Sequence, residues 1–150
     1  MDIDNIFGLF GFEKNSKREI QDDLDAFKDT PIFKVGMFKK LIWNGVNFRK
    51  QLIQFLKKTD SKHDIVDEGL NEAGDYMMYT RAYYWIKDCN IKDKEWKKAL
   101  VNYIDEEFVL CFKLCIKYYE ELEEYEKCAF LKSIQDYIEE KKLLNSLKNP

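Results

Sequence analysis

The clearest hydrophobic pattern lies in the C-terminal third of the chain. There, apolar residues recur at alternating steps of three and four, the spacing of one face of an α-helix. The members of this stripe are Val101, Ile104, Phe108, Cys111, Cys115, Tyr118 and Leu122. The pattern predicts one long helix that begins near Lys94.

The stripe loses its phase within the sequence EELEEYEK, which contains neither proline nor glycine. A shifted stripe then follows, made of Cys128, Leu131, Ile134 and Ile138. A change of phase between two helical patterns is typical of a tight reversal between neighbouring helices. The sequence therefore predicts an antiparallel helical hairpin over residues 94–147.

A shorter helical pattern lies near the N-terminus. Ser16 and Glu19 match the S-x-x-E capping box that often starts a helix. The apolar residues that follow at helical spacing are Ile20, Leu24 and Phe27. Pro31 disfavours helical backbone at the residue before it, so this helix is expected to end before Pro31.

The middle of the chain permits two interpretations. In LIWNGVNF, Asn44-Gly45 stands between apolar runs, a strong signal for a β-hairpin over residues 41–48. Helical spacing after Gly45 favours instead two helices, with Gly45 capping the first. We favour helix–turn–helix and keep the hairpin as the alternative. Beyond residue 61, the pattern predicts a short segment near 62–72 and a firmer helix near 75–88.

The predicted fold is therefore all-α, a single compact domain over residues 1–150. Its parts are a basic helical region (1–60), short helices (61–93) and the C-terminal hairpin (94–147). The chain has 15% aromatic residues, two prolines and six glycines, a composition that favours long helices over a turn-rich β fold. No stretch is long and apolar enough for a membrane span, and no export signal is apparent, so we expect a cytoplasmic protein without membrane contact.

Charge is divided unevenly along the chain. Residues 28–62 carry nine Lys or Arg and two Asp, whereas residues 105–140 carry eleven acids and four Lys. Such regions pair within one molecule, pair between copies in a homo-oligomer, or face separate partners. The candidate contact residues are Lys39, Lys40, Arg49, Lys50, Lys57 and Lys58 in the basic region, and Glu120, Glu121, Glu123 and Glu124 in the acidic one.

The N-terminal sequence IFGLFGF is a further candidate for interaction. Ile6, Phe7 and Phe10 lie among five large apolar residues within seven positions, with acidic residues nearby. One hypothesis is that this peptide docks in a groove of a partner protein. The other is that it packs on the core of its own chain, and the sequence favours neither.

The four cysteines are interpreted as core residues. Cys111 and Cys115 share a helical face with Phe108, and reduced cysteine is among the most buried residue types. A structural zinc site that also used Cys89 and Cys128 is the alternative. We favour packing and expect no metal or cofactor.

Other chemistry in the sequence is sparse. His63, the only histidine, lies in a polar stretch without a nucleophile motif. Glu72 and Asp75 look like one half of the E-x-x-E…E-x-x-D pattern of all-α nucleotide pyrophosphatases, which would imply a metal-dependent nucleotide hydrolase. Lysines among aromatics in residues 28–62 would suit nucleic acid, although the aromatics follow the helical stripe and are more simply core, namely Phe38, Trp43, Phe48 and Phe55.

The stretch EYEKCAFLKSI, residues 124–134, resembles the second helix of UVR-type helical hairpins and shares a YEKA-like turn with tetratricopeptide helices. Both are non-catalytic protein-interaction modules, and Cys128, Phe130 and Ile134 depart from the UVR pattern. We therefore expect a non-enzymatic protein-interaction or assembly protein, such as a phage or bacterial accessory component located in the cytoplasm or in a virion. Nucleic-acid binding and nucleotide hydrolysis are the two alternatives.

Overall fold

The computed structural model describes residues 14–59 and 64–148, which form six α-helices and no β-strand. The helices are α1 (Lys14–Lys28), α2 (Pro31–Thr59), α3 (Asp64–Ile86), α4 (Lys94–Asn102), α5 (Glu106–Glu121) and α6 (Tyr125–Lys148). The prediction of an all-α fold is confirmed.

The first two helices meet where the sequence predicts a boundary. Helix α1 begins at Lys14, two residues before the expected cap Ser16, and ends at Lys28. The Thr30 hydroxyl donates a hydrogen bond to the Phe27 carbonyl at 2.6 Å, which closes the last turn of α1. Helix α2 then starts at Pro31, since proline is well suited to a first helical turn.

Helix α2 runs without a break through Asn44-Gly45, so both the helix–turn–helix interpretation and the β-hairpin at 41–48 are wrong. The reason is tertiary. A side chain added at Gly45 would collide with the sulfur of Met78 on α3, so Met78 packs directly on this glycine where the two helices meet. Packing of Ile42 in the core then outweighs the local turn preference of Asn-Gly.

Helix α3 is also continuous, whereas the sequence pattern predicts two segments near 62–72 and 75–88. The helix spans Asp64–Ile86 and includes Gly74 within its length. Helix α3 contacts α5 at Tyr79. The backbone carbonyl of Tyr79 accepts a hydrogen bond from the hydroxyl of Tyr119 on α5 at 3.3 Å. At the predicted junction, Asp75 forms an ion pair with Arg49 of α2, and this contact holds the middle of α3 against α2.

The prediction of one helix from Lys94 to the reversal near residue 122 is wrong, because the helix is interrupted at residues 103–105. Asp105 has extended backbone, and its side chain accepts a hydrogen bond from the Phe108 backbone N–H at 2.7 Å. Asp105 is thus the N-cap of α5, which begins as a new helix at Glu106. Val101 and Leu122, at the two ends of the predicted stripe, are accordingly exposed, whereas its centre is buried.

Helices α5 and α6 are joined by residues 122–124 and run antiparallel. Lys113 on α5 lies 4.0 Å from Glu139 on α6. Closer to the connection, the Cys128 thiol lies 3.6 Å from the Ile116 carbonyl. The helical hairpin thus comprises Glu106–Lys148, and α4 packs mainly against α2 as a separate helix.

The hydrophobic core lies between α2, α3 and the last three helices, and all five contribute buried residues to it. Its largest fully buried residues form an aromatic cluster in which the Phe112 ring lies 4.6 Å from Phe38 and 5.1 Å from Phe108. None of the helices in the described part of the chain combines the length and the hydrophobicity that a bilayer span requires.

Candidate interaction surfaces

An apolar groove of about 550 Å³ lies between α2 and α3, and we call it the α2–α3 groove. Gly45, Ala73 and Gly74 contribute its smallest side chains. The larger residues that line it are Leu41, Phe48, Arg49, Leu52, Met77, Met78 and Arg81. A concave apolar surface bordered by a few charges is the usual form of a peptide- or helix-binding site.

Two large side chains of the α2–α3 groove are strongly exposed. Phe48 on α2 is 65% exposed and Met77 on α3 is 58% exposed. Neighbouring exposed apolar side chains around a groove mark interaction sites more often than scattered single ones do. Methionine, with its flexible and polarizable side chain, also adapts to differently shaped partners.

Arg49 also lines a second cleft, which lies between α2, α3 and α5. Its guanidinium forms an ion pair with Asp75, and both side chains are mostly shielded from solvent. The second cleft has a volume of about 440 Å³ and is also lined by Lys50, Tyr118 and Glu121. Here the structure brings two residues of the predicted basic surface beside one of the predicted acidic surface.

The aromatic wall of the second cleft is formed by Tyr79 and Tyr118, whose rings stack at 4.6 Å. Burial, and secondarily the negative charge of Asp75, raises the pKa of Tyr79 to about 12. Burial likewise raises the pKa of Tyr118. Both hydroxyls are therefore neutral hydrogen-bonding groups at physiological pH.

The other predicted basic residues are distributed along the outside of α2. Lys40, Lys50, Lys57 and Lys58 are exposed, whereas Lys39 is partly buried and its amine lies 2.6 Å from the Asp105 carboxylate. This ion pair joins the basic and the acidic regions within one molecule.

The interpretation of Phe48 and Phe55 as core residues is wrong, since the side chains are 65% and 62% exposed. Their helical spacing arises from a second apolar stripe on the outer side of α2. Phe38, on the inner side, is fully buried. Periodicity reveals that a stripe exists, but it does not reveal which stripe faces the core.

The predicted acidic residues surround the reversal between α5 and α6, and all four are exposed. Glu124 pairs with Lys127 at 2.8 Å. Glu123 has a positive φ of 60°, which places it in the left-handed region of the connection. The N-terminal candidates Ile6, Phe7 and Phe10, and His63, lie outside the described residues.

A second apolar groove, of about 610 Å³, lies where α1 meets α2. It continues onto α1, where Leu24 and Phe27 are 48% and 52% exposed. We call this continuous surface the apolar track. The groove residues, besides Phe27, are Ile32, Phe33, Gly36, Met37, Lys39, Lys40, Trp43, Asn44 and Tyr103.

All four cysteines are buried, which confirms their interpretation as packing residues. Burial raises the pKa of the Cys89 and Cys111 thiols to about 12 and shifts the pKa of Cys115 in the same direction. Thiols so poorly ionised are weak nucleophiles. No group of three or more His, Cys, Asp or Glu arranged to hold a metal ion occurs within residues 14–59 and 64–148.

The residues proposed for nucleotide hydrolysis occupy ordinary positions on α3. Glu72 is exposed, and Asp75 is held by Arg49 rather than directed toward a second carboxylate pair.

Comparison of the chain with protein-family models, with curated proteins and with solved structures finds no match. The local resemblance to UVR-type and tetratricopeptide helices therefore stays confined to residues 124–134.

Sequence reasoning missed the α3 side of the α2–α3 groove. Met77 and Met78 belong to the apolar stretch YMMYTRAYYWI within the helix predicted near 75–88, and the sequence pattern did not mark them as part of an interaction surface. The signal that could have revealed them is the combination of Gly74 with two methionines one turn later, since small residues beside flexible ones are typical of adaptable helix surfaces. Asp105 was likewise missed as a helix cap.

Proposed function

We propose that this protein is a non-enzymatic interaction or assembly protein that binds a partner protein in the α2–α3 groove. The observation that carries the proposal is the exposure of Phe48 and Met77 beside Gly45 and Gly74. A phage or bacterial accessory component that works in the cytoplasm or in a virion fits this activity.

The energetic argument rests on the apolar area that a partner would cover. Full burial of a Phe or Met side chain contributes about 1.5–3 kcal/mol. Phe48 and Met77 together would thus supply several kcal/mol, which is the size of a typical interaction hot spot. Gly74 leaves room for the backbone or a large side chain of the partner, whereas the space beside Gly45 is filled by Met78.

The charges of the α2–α3 groove indicate which partner segment fits. Arg81 is exposed at the groove, and Arg49 lies in its lining. Since Asp75 neutralises Arg49, Arg81 is the cation that would meet an acidic group of the partner. The groove therefore fits an apolar helix or extended segment that carries a carboxylate beside its large side chains.

The test compares Met77→Glu with a control, Leu147→Glu, at an apolar position on α6 that is even more exposed. Proteins recovered by the wild type and by both variants from bacterial or phage-infected extracts are compared by quantitative mass spectrometry. We expect a partner that the wild type and Leu147→Glu retain but Met77→Glu loses. With the purified partner, Met77→Glu should weaken binding by about 30-fold, or ~2 kcal/mol.

Self-association is measured on the same samples by light scattering, against a monomer mass of 18.1 kDa. A larger mass that falls to the monomer in Met77→Glu alone would identify a second copy as the partner. Equal recovery of all proteins by the two variants, together with an unchanged mass, would contradict a role for the α2–α3 groove.

Nucleic-acid binding is the second candidate, because Phe55 is exposed on the same helix as Lys57 and Lys58. An exposed aromatic ring beside lysines suits stacking and phosphate contact with a single strand. We expect Lys57→Glu/Lys58→Glu to abolish any binding of a labelled single-stranded oligonucleotide, and wild-type affinity to fall steeply with salt. Absence of binding by the wild type at 50 mM salt would contradict this candidate.

A further inference from the structure

We propose that the second cleft, between α2, α3 and α5, binds a small heteroaromatic phosphate of the nucleoside monophosphate class. The ring of this ligand would lie against the tyrosines of the cleft, and its phosphate would lie between Lys50 and Lys117. The second cleft is separate from the partner site proposed in the α2–α3 groove, and binding at one does not require binding at the other.

The walls of the second cleft offer apolar surface to a planar ring. The volume of about 440 Å³ is of the usual size for a small-molecule site. Val46, Leu114 and Tyr118 are only half-buried there, so each keeps apolar surface that a ligand would cover. The Tyr118 ring stacks on Tyr79 at 4.6 Å, and a planar ring placed beside them would extend this aromatic wall.

The Tyr79 hydroxyl is the observation that points to a ligand. Tyr79 is only 6% exposed and lines the cleft, yet its hydroxyl forms no hydrogen bond within the described part of the chain. Burial raises the pKa of this hydroxyl, Asp75 raises it further and Arg49 lowers it, so the hydroxyl lies near two other residues of the cleft. Buried hydroxyls without a partner are rare, and an acceptor atom of a ligand would satisfy this one.

The neutral polar groups of the cleft favour a heterocycle over a hydrocarbon ring. Besides the Tyr79 hydroxyl, the half-buried side chain of Asn71 lines the cleft and can both donate and accept hydrogen bonds. A hydrocarbon ring would cover both groups and leave them without partners, which is costly. The nitrogen and oxygen atoms of a heterocyclic base would instead pair with them.

The charges of the cleft favour an anion. Lys50 on α2 and Lys117 on α5 are both exposed, and neither forms an ion pair with any residue that the structure describes. Arg49, by contrast, is compensated by Asp75. Two lysines on neighbouring helices suit a phosphate, which accepts hydrogen bonds from several ammonium groups. Glu121, in the same lining, is an acceptor for sugar hydroxyls.

The test measures binding of AMP, GMP, CMP and UMP to the full-length protein by isothermal titration calorimetry at low salt. We expect at least one of these nucleotides to bind with a Kd below about 1 mM. The corresponding nucleoside and inorganic phosphate are titrated separately, and the affinity of each should be lower by about tenfold or more. These two titrations separate recognition of the ring from recognition of the phosphate.

A lysine double variant assigns the phosphate to the second cleft. Lys50→Ala/Lys117→Ala should weaken nucleotide binding by about tenfold and leave nucleoside binding unchanged, because the nucleoside carries no phosphate. The control, Lys40→Ala/Lys113→Ala, removes exposed lysines of the same two helices that lie outside the cleft. It should leave the nucleotide affinity unchanged.

Tyr79→Phe tests the buried hydroxyl. It should weaken nucleotide and nucleoside binding alike by about fivefold, since both ligands lose the same hydrogen bond. Without ligand, the free energy of unfolding should stay the same or rise, because no hydrogen bond within the protein is lost. Tyr84→Phe, at an exposed tyrosine of α3 outside the cleft, is the control for binding.

Absence of binding by all four nucleotides at about 5 mM would overturn the proposal. So would equal weakening by the cleft variants and their controls, because binding would then depend on general surface charge. A loss of stability in unliganded Tyr79→Phe would also contradict it, since the hydroxyl would then have a partner within the protein.

Discussion

At the scale of single residues, backbone and charge at two acidic residues determine where helices end. Glu123 adopts a φ of 60° in the reversal between α5 and α6. Its N–H donates to the Glu120 carbonyl, and the Glu124 N–H donates to the Tyr119 carbonyl, each at 3.0 Å. This is the Schellman arrangement, in which glycine is the preferred residue at the position of Glu123.

Glu123→Gly should therefore raise the free energy of unfolding by about 1 kcal/mol, because a left-handed conformation costs an L-residue about 1–2 kcal/mol. The control is Glu120→Gly, inside α5, which should lower it by about 1 kcal/mol. Urea denaturation followed by circular dichroism measures both. Destabilisation by Glu123→Gly would show that the glutamate side chain makes a contribution larger than the backbone strain.

Asp105 combines a helix cap with an ion pair. Although partial burial opposes ionisation, hydrogen bonds from Lys39 and from the Phe108 N–H hold the pKa of this carboxyl below its usual range. A depressed pKa means that the folded state binds the proton less readily than the unfolded state. The stabilisation by Asp105 is therefore complete above the unfolded pKa and disappears as the pH falls through the folded one.

Asp105→Asn keeps a capping side chain but removes the charge. We expect it to lower the free energy of unfolding at pH 7 by at most about 1 kcal/mol, since the pair is partly exposed. The gap between wild type and variant should shrink as the pH falls below 4. Urea midpoints at pH 7, 4 and 2.5 measure this, and a gap independent of pH would contradict the assignment.

At the scale of elements, the length of a helix depends on its neighbours as much as on its own sequence. Helix α2 passes through Asn44-Gly45 because α3 packs there, whereas α4 and α5 separate at Asp105 although their apolar spacing continues. The two glycines that face the contact between α2 and α3 allow this effect to be measured.

Gly45→Ala should lower the free energy of unfolding by about 1 kcal/mol or more, because the new methyl group collides with Met78. Gly74→Ala should raise it by about 0.5–1 kcal/mol, since the nearest atom, the Arg49 Nε, is 3.9 Å away and alanine favours the helix. Thermal and urea denaturation of the two variants measure both changes in the free energy of unfolding. Stabilisation by both substitutions would mean that the flexible Met78 side chain moves away from position 45 without cost.

At the scale of the whole molecule, burial of ionisable groups couples stability to alkaline pH. The pKa of Cys89 is raised by burial alone, from 9.0 to about 12. The native thiol thus holds its proton at pH values where the unfolded thiol loses it. Its contribution to stability is complete below pH 9 and declines as the pH rises toward 12.

We therefore expect the free energy of unfolding of the wild type to decline between pH 8.5 and 11. Cys89→Ala should decline less steeply, although its stability at pH 7 is lower because it leaves a cavity. The slope against pH, rather than the stability itself, is the informative quantity. Identical slopes for the two proteins would show that Cys89 does not contribute to the loss of stability at alkaline pH.

The sequence reveals many of the residues of the candidate interaction surfaces, but it does not reveal which of them lie next to one another in the fold. The basic residues of α2 stand out in the sequence as a group, yet the structure divides them between an ion pair with Asp105, an ion pair with Asp75 and the exposed outer side. The α2–α3 groove escaped prediction because its lining comes from two helices whose pairing no local pattern encodes.

Local properties of the sequence were sufficient for the helical class, the boundary before Pro31 and the reversal after Leu122, because backbone hydrogen bonding and side-chain periodicity act over a few residues. They also placed Cys111 and Cys115 in the core. Only the tertiary structure decided that α2 is continuous, that α5 starts anew at Asp105 and that Phe48 faces solvent. These features depend on contacts between residues distant in sequence, and such contacts outweigh local preferences of about 1 kcal/mol.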